Sequence, residues 1–265
     1  MTAAPVLPPA RDRVLLVGRG VWIEIVRRKE FYVLLILVAL FCLAALAVSI
    51  VGVSNPETAT LLLNMGLTLA AGAAHLLTLV TAARQIPAEI ENRTLYPMLA
   101  KPIGRGEFFL GKWAAVASAG YAVFLVLLVL VWASVPKMES YDAALFVQLV
   151  LLQGVSIAFM AAAALALSLW MPTPVVLVLL ALVYAFGAKG ANLLQAATAG
   201  GALEGPARVL AAYLPNFSLL NVVTRFTDGI GALGGGQLLG LLAYASVWTA
   251  AAFFAGARSF GKRPL

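Results

Sequence analysis

Long apolar runs separated by short polar stretches dominate this chain of 265 residues. A helix needs about 20 apolar residues to cross a bilayer, and six runs approach that length. Because backbone N–H and C=O groups find no partner in lipid, each run is expected to be helical. The pattern therefore predicts an all-α integral membrane protein, a single domain over residues 1–265, with spans at 31–53, 60–82, 113–135, 143–169, 174–197 and 237–257.

A different pattern precedes the first run. At 100° per residue, a helix over residues 13–30 collects most apolar side chains on one side and charged side chains on the other. The apolar side holds Val14, Leu15, Val21, Trp22, Ile25 and Val26, and the charged side holds Arg13, Glu24, Arg27 and Arg28. This predicts an amphipathic helix lying in the membrane interface. A basic anchor that only sets the topology remains the alternative.

Composition and charge agree with membrane insertion. The chain is 63% hydrophobic and 11% charged, with a mean hydropathy of +0.99. Of its 18 Lys and Arg residues, 14 lie before the first run, after the second or after the last. The positive-inside rule then predicts that both termini and the segment 83–112 are cytoplasmic. The net charge of +7 is attributed to topology and anionic-lipid contact, not to nucleic-acid binding.

Small residues recur every four positions within two predicted spans. Such stripes allow neighbouring membrane helices to approach closely. They comprise Gly66, Ala70, Ala74, Thr78 and Ala82 in the second span, and Gly154, Ala158, Ala162 and Ala166 in the fourth. The pattern predicts a packed helical bundle.

The chain carries little of what an enzyme needs. His75 is its only histidine and Cys42 its only cysteine, which argues against a histidine metal cluster, a catalytic triad and a disulfide. Residues 106–113 fit most of a P-loop, but Trp113 stands where the loop needs Ser or Thr to hold Mg²⁺. We therefore expect no catalytic residue, no metal site and no bound cofactor on this chain.

Two residues within the apolar runs, His75 and Lys189, carry a titratable nitrogen. His75 is predicted to hydrogen-bond between helices, with a proton relay as the less favoured role. Lys189 is predicted to extend outward or to face a cavity, because a charge near the membrane centre is costly.

The segment 83–112 is the most polar part of the chain between two spans. Glu89 and Glu91 precede a break at Pro97, residues 101–105 turn the chain, and residues 107–112 restart a helix. A short helix between two breaks suits docking in a groove of another protein. From the residues alone, an ordinary charged loop is an equal alternative.

This segment also resembles the signature of the type-2 (ABC-2 type) ATP-binding-cassette transporter permeases. The matching run is Glu89-x-Glu91-Asn-Arg-Thr94-Leu95-x-x-x-Leu99-x-Lys101-Pro102-Ile103-x-Arg105-x-Glu107-x-x-x-Gly111-Lys112. Six spans, an N-terminal interfacial helix and the element Leu214-Pro215-Asn216-Phe217 before the last span are similar too, so the resemblance covers nearly the whole chain. Arg93 departs from it, since many members carry Gly there.

The resemblance implies the type-2 exporter fold in a bacterial cytoplasmic membrane. A separate ATPase subunit would hold ATP and Mg²⁺, and a second permease, identical or not, would complete the pair. Coupling to the ATPase would fall to Trp22, Glu24, Arg27, Arg28, Glu89, Glu91, Thr94, Leu95, Leu99, Lys101, Pro102 and Arg105. In the outer segment 199–236, short helices over 206–214 and 216–226 would close the outer mouth at Leu214, Pro215, Asn216 and Phe217. No substrate-binding residue is assigned.

Three functions remain open at this stage. The first is export of an amphiphilic or apolar substrate, which the apolar spans favour. The second is a membrane transmission device that passes ATPase motion to an extracytoplasmic partner. The third, a transporter without an ATPase, would need ionisable relays, and His75 and Lys189 are its only candidates.

Overall fold

The structure is a computed structural model that describes residues 9–50, 56–92, 104–134, 142–198, 216–227 and 230–262. Within these ranges there is no β-strand, and the regular elements are helices. The α-helices are α1 (Ala10–Arg27), α2 (Lys29–Ile50), α3 (Pro56–Glu91), α4 (Arg105–Ser134), α5 (Ala143–Leu167), α6 (Thr173–Thr198), α7 (Val223–Thr227) and α8 (Gly235–Lys262), with a 3₁₀ helix at Phe217–Leu220.

Four helices in the described ranges are long and apolar enough to cross a membrane. They are α3 from Glu57 onward, α4, α5 and α8, which correspond to the second, third, fourth and sixth predicted spans. Helices α2 and α6 contain shorter apolar stretches, Val38–Ala47 and Thr173–Ala185. The chain is therefore a multi-pass membrane protein, and the count of six spans stays a prediction.

The predicted segment 83–112 is helical at both ends. Helix α3 continues through residue 91, and α4 begins at Arg105, so the restart of a helix ahead of the third span is confirmed. At that restart the N–H of Gly104 donates to Glu107 Oε2 at 3.0 Å, the reach-back contact of a helix-capping glutamate. Residues 93–103, with Thr94, Leu95, Leu99, Lys101 and Pro102, lie outside the described residues.

Helix α1 ends earlier than predicted, at a single extended residue. Arg28 has φ −78° and ψ 139°, and α2 starts directly after it. The predicted apolar face of α1 is also divided: Val21 and Ile25 are buried, whereas Leu15 and Val26 are exposed. The buried side packs on α4, where a Cβ on Gly111 would lie 3.0 Å from Val14 O.

Two clusters of buried side chains form the core of the bundle. Leu67, Phe124, Leu127 and Leu152 belong to the first cluster, which reaches Leu220 of the 3₁₀ helix and Val223 of α7. The second cluster packs α1 and the end of α8, also contains Phe217 of the 3₁₀ helix, and includes Ile86, Phe108, Phe109, Met160 and Phe260. Helix α5 packs against α3, α4 and α8 and contributes to both clusters.

Small residues permit the close helix contacts that the stripes predicted. Ala70, Ala74, Thr78 and Ala82 are all buried, which confirms the packing role of the stripe on α3. On α5, Ala162 and Ala166 are buried, while Gly154 and Ala158 are only partly so. A Cβ on Gly256 of α8 would lie 3.0 Å from Ala166 Cβ, so α8 crosses α5 at van der Waals contact.

The outer segment differs from the expected single helix over 216–226. The 3₁₀ helix ends at Leu220, and Asn221 Oδ1 accepts from the N–H of Val223 at 3.1 Å. This local side-chain contact holds the turn immediately before α7. The predicted helix over 206–214, which ends at Leu214, and the following Pro215 lie outside the described residues.

Candidate functional site

A buried cation joins the end of α3 to the start of α4. The side chain of Lys112 is 1% exposed, and its Nζ lies 2.7 Å from Glu89 Oε1 and donates to Gln85 Oε1 at 2.7 Å. The same Nζ lies 5.2 Å from the ring centroid of Phe108. A buried ammonium group is costly unless it is paired and hydrogen-bonded, and these contacts meet that need.

Helix α1 is connected to the same cation through Gln85. Gln85 Nε2 donates to Glu24 Oε2 at 3.4 Å, and Glu24 also forms an ion pair with Arg28 one turn later. We call Glu24, Arg28, Gln85, Glu89 and Lys112 the junction network. It connects three helices at the point where the chain leaves α3 and returns in α4.

Other contacts strengthen the attachment of α1 to α4. Trp22 Nε1 donates to Ser118 Oγ at 2.9 Å, and Arg13 forms an ion pair with Glu107 at 3.1 Å. Arg105, at the first turn of α4, donates to Gly261 O of α8 at 2.8 Å. The ends of α1, α3, α4 and α8 are thus held together on one side of the bundle.

The structure brings together only some of the predicted coupling residues. Trp22, Glu24, Arg28, Glu89 and Arg105 all take part in the contacts just described. Arg27 and Glu91 are exposed nearby, at the ends of α1 and α3. Glu89, expected to meet basic residues of an ATPase, has Lys112 of its own chain as a partner.

Sequence reasoning missed several members of this site. Lys112 entered the sequence analysis only as the end of the signature run, Arg13 only as part of the charged side of α1, and Gln85 and Ser118 were assigned no role. A signal for Gln85 was available, because it precedes Glu89 by four residues and so shares its helix face. Nothing in the sequence pointed to Ser118 as the partner of Trp22.

At the opposite end of the bundle, polar side chains attach the segment before α8 to α5. Gln148 Nε2 donates to Leu233 O at 2.8 Å, and Leu233 N–H donates to Gln148 Oε1 at 2.8 Å. Asp142 Oδ2 accepts from Ala232 N–H at 3.1 Å. We call this group the outer clamp, after the side of the membrane predicted for it from the basic residues.

The two described residues of the predicted outer gate pack inward. Phe217 is buried, and its ring centroid lies 5.1 Å from that of Phe159 and 5.6 Å from that of Tyr184. The N–H of Asn216 donates to the Tyr244 hydroxyl at 3.1 Å. The 3₁₀ helix is therefore fixed to α5, α6 and α8.

His75 lies beside this aromatic group and uses both ring nitrogens within the protein. Nδ1 lies 2.8 Å from Ala71 O, and Nε2 lies 2.8 Å from Ser156 Oγ of α5. Its ring stacks on Tyr184 at a centroid distance of 4.5 Å. The prediction of an interhelical hydrogen bond is confirmed. The side chain of Lys189 lies outside the described residues.

A comparison with protein families identifies the class of this chain. A family model described as "ABC-2 family transporter protein" matches residues 22–188, which is more than half of the chain and includes the junction network. The chain belongs to the ABC-2 transporter family. A search of curated proteins found no match.

Membership assigns the general role of the molecule. An ABC-2 permease is the membrane subunit of an ATP-binding-cassette transporter and is not itself catalytic. The family implies an ATPase partner. The predicted resemblance is thus confirmed at the level of the family.

Proposed function

We propose that this ABC-2 chain is a permease subunit with six spans and cytoplasmic termini, and that a separate ATPase subunit drives it to export an amphiphilic or apolar substrate. Two permeases, identical or not, would pair in a bacterial cytoplasmic membrane. The observation that carries the proposal is the junction network, because it connects α1, α3 and α4 on both sides of the predicted docking segment.

The network supports a mechanical role for this end of the molecule. Glu89 and Lys112 lie at the two helix ends that flank residues 93–103, and Glu24 ties α1 to the same pair through Gln85. Packed helices move as bodies when a force acts on elements joined to them. A push on residues 93–103 would then move α1, α3 and α4 together.

The exposed side of α1 supports an interfacial position. Leu15, Leu16, Ile23 and Val26 are exposed, and Trp22 is 36% exposed although its Nε1 is hydrogen-bonded. Apolar side chains with Trp on a helix that also carries Arg are typical of an interfacial helix. With one side on α4 and the other in the headgroup region, α1 would lie along the cytoplasmic surface.

The outer clamp is the observation that favours the alternative function. Gln148 and Asp142 join the start of α5 to residues 232 and 233, so a movement of α5 would reach the outer surface. A transmission device that moves an extracytoplasmic partner would use such a connection. An exporter would use it to open an outer gate.

Purification of the tagged chain from its native membrane tests the class and separates the two functions. We expect a nucleotide-binding subunit to co-elute, since the proposed function needs one. Stimulation of ATP hydrolysis by an added amphiphile would support export, whereas a stoichiometric extracytoplasmic protein would support transmission. Recovery of the intact chain without any ATPase would contradict the proposal.

Glu91 allows a direct test of docking. It is exposed at the last residue of α3, so Glu91→Lys should leave the fold intact while placing a like charge against a basic groove. We expect about tenfold lower recovery of the ATPase, because a mismatch of about 1.4 kcal/mol suffices for that change. Quantitative immunoblotting of the eluate measures it.

Glu57→Lys is the matched control, since Glu57 is exposed at the opposite end of the same helix. Equal ATPase recovery from both variants would count against docking beside Glu91, even if the permease assignment stands.

A further inference from the structure

An apolar groove runs between α4, α5 and α8 on the surface of the bundle. Its volume is about 440 Å³, which lies in the range of small-molecule sites. The lining is almost entirely apolar and comprises Leu110, Trp113, Val155, Ala158, Phe253 and Phe254 with four smaller residues. Phe254 is 69% exposed, so the groove is open to the surroundings.

Two basic side chains follow the groove-lining part of α8 toward the end of that helix. Arg258 follows Phe254 by one helical turn and Lys262 follows by two, so all three share one face. Both cations are exposed. Arg105 of α4 reaches the same point, where it donates to Gly261 O.

An acidic residue near this end is already engaged within the protein. Glu107, two residues after Arg105, pairs with Arg13 and accepts from Gly104 N–H. In the described part of the chain, no salt bridge occupies Arg258 or Lys262. The end of the groove therefore presents positive charge.

We propose that this groove is a binding site for an anionic phospholipid. One acyl chain would lie against Trp113, Phe253 and Phe254, and the phosphate would meet Arg258 and Lys262. Basic pockets between membrane helices on the cytoplasmic side bind anionic headgroups. The inference rests on the proposed orientation, in which the end of α8 lies in the cytoplasmic leaflet.

Trp113 reports on this site by fluorescence. In the full chain with Trp22, Trp132, Trp170 and Trp248 replaced by Phe, Trp113 is the remaining tryptophan. The protein is reconstituted in phosphatidylcholine vesicles that contain equal fractions of brominated phosphatidylglycerol or brominated phosphatidylcholine. We expect the brominated anionic lipid to quench Trp113 at least about threefold more efficiently, since each basic contact favours the anionic headgroup.

Paired variants separate the groove from general surface charge. Arg258→Gln with Lys262→Gln should bring the quenching ratio close to one, whereas Arg11→Gln, an exposed cation on α1, should preserve it. Ala250→Phe fills the groove and should lower quenching by both lipids. Ala251→Phe, at the next and also exposed position of α8, should not.

Several results would overturn the site. A quenching ratio near one in the parent protein would mean that no headgroup is selected in the groove. The same conclusion would follow if Arg11→Gln lowered the quenching ratio as much as the Arg258/Lys262 variant does. No quenching by either lipid would mean that protein covers the groove, for example a second copy of the chain. If the variant with four Trp→Phe substitutions does not fold, a second assay replaces fluorescence. Electron paramagnetic resonance of spin-labelled lipids compares the unaltered chain with the Arg258/Lys262 variant and tests the same preference for the anionic lipid. The vesicles contain no ATPase, so the outcome is independent of the coupling proposal.

Discussion

Single residues decide how charge is accommodated in this largely apolar molecule. Lys112 lies among Phe108, Gln85 and Glu89 with its ammonium group almost fully buried. Removing one partner of a buried ion pair leaves an uncompensated charge, while replacing both is often much less harmful. Lys112 and Glu89 therefore depend on each other to remain charged inside the protein.

We predict that Lys112→Met destabilises the protein by about 3 kcal/mol. The double variant Lys112→Met with Glu89→Gln should recover much of this loss, because no unpaired carboxylate remains. Unfolding in detergent measures both values and that of Glu89→Gln alone, which completes the double-mutant cycle. Glu57→Gln at the exposed start of α3 is the control. A coupling energy between Lys112 and Glu89 below about 0.5 kcal/mol would show that the pair does not hold α3 to α4.

The same residues mark the limit of sequence reasoning about the site. Glu89 and Glu91 were both expected to face an ATPase, since both are acidic and belong to one polar segment. The structure separates them: Glu89 pairs with Lys112, while Glu91 is exposed. In the sequence, Glu89 and Glu91 are two acidic residues of the same segment and look alike. Only the packing of α3 against α4 shows that they have different surroundings.

At the scale of helices, small side chains set how closely the elements approach. Gly66 of α3 faces α4, where an added Cβ would lie 2.6 Å from Val131 Cγ1 and 3.0 Å from Phe41 Cε1 of α2. Gly72 of the same helix has open space around its Cβ position. Both glycines belong to α3, but only Gly66 lies against neighbouring helices.

We predict opposite effects of alanine at these positions. Gly66→Ala should destabilise the bundle by about 1–3 kcal/mol, because Val131 is short and branched and has little room to yield. Gly72→Ala should be neutral or stabilise by up to about 1 kcal/mol, since Ala is the better helix former. Thermal unfolding of both variants in the same detergent checks this. Equal effects would mean that the contact between α3 and α4 at Gly66 is looser than described.

Helix positions were largely predictable, and their exact ends were not. Apolar runs predicted α3, α4, α5 and α8 because a membrane helix must be apolar over its whole length. The runs did not predict that α3 continues to residue 91 or that α1 stops before Arg28. Helix ends depend on caps and on neighbouring helices, which hydropathy does not record.

At the scale of the whole molecule, the two ends of the bundle are held in different ways. Ion pairs and a buried lysine connect α1, α3 and α4 at one end, whereas the hydrogen bonds of the outer clamp fix the other. The aromatic group around Phe217 packs between them, beside His75 in the middle of α3. Most side chains of α8 are at least partly exposed, since only 11% of its most apolar stretch is buried within the protein. Its exposed face is available to lipid or to a second chain.

We predict that both ends can be assigned to sides of the membrane by cysteine labelling. Cys42 is buried and can be replaced by Ala, which leaves a background without thiols. A membrane-impermeant maleimide added to intact cells should label Ile230→Cys and should not label Lys262→Cys, both at exposed positions. Both should react after permeabilisation. The reverse pattern would overturn the orientation derived from the basic residues.

The sequence by itself determined that this protein crosses the membrane as helices, which residues form most of them, and that it resembles the ABC-2 permeases. These properties follow from local composition and from a contiguous motif, so they are contained in the order of residues. Only the tertiary structure decided the partners of Lys112 and Glu89, the buried side of α1 and the groove beside Trp113. Those features join residues of different helices, and their geometry exists only once α1, α3, α4, α5 and α8 pack together.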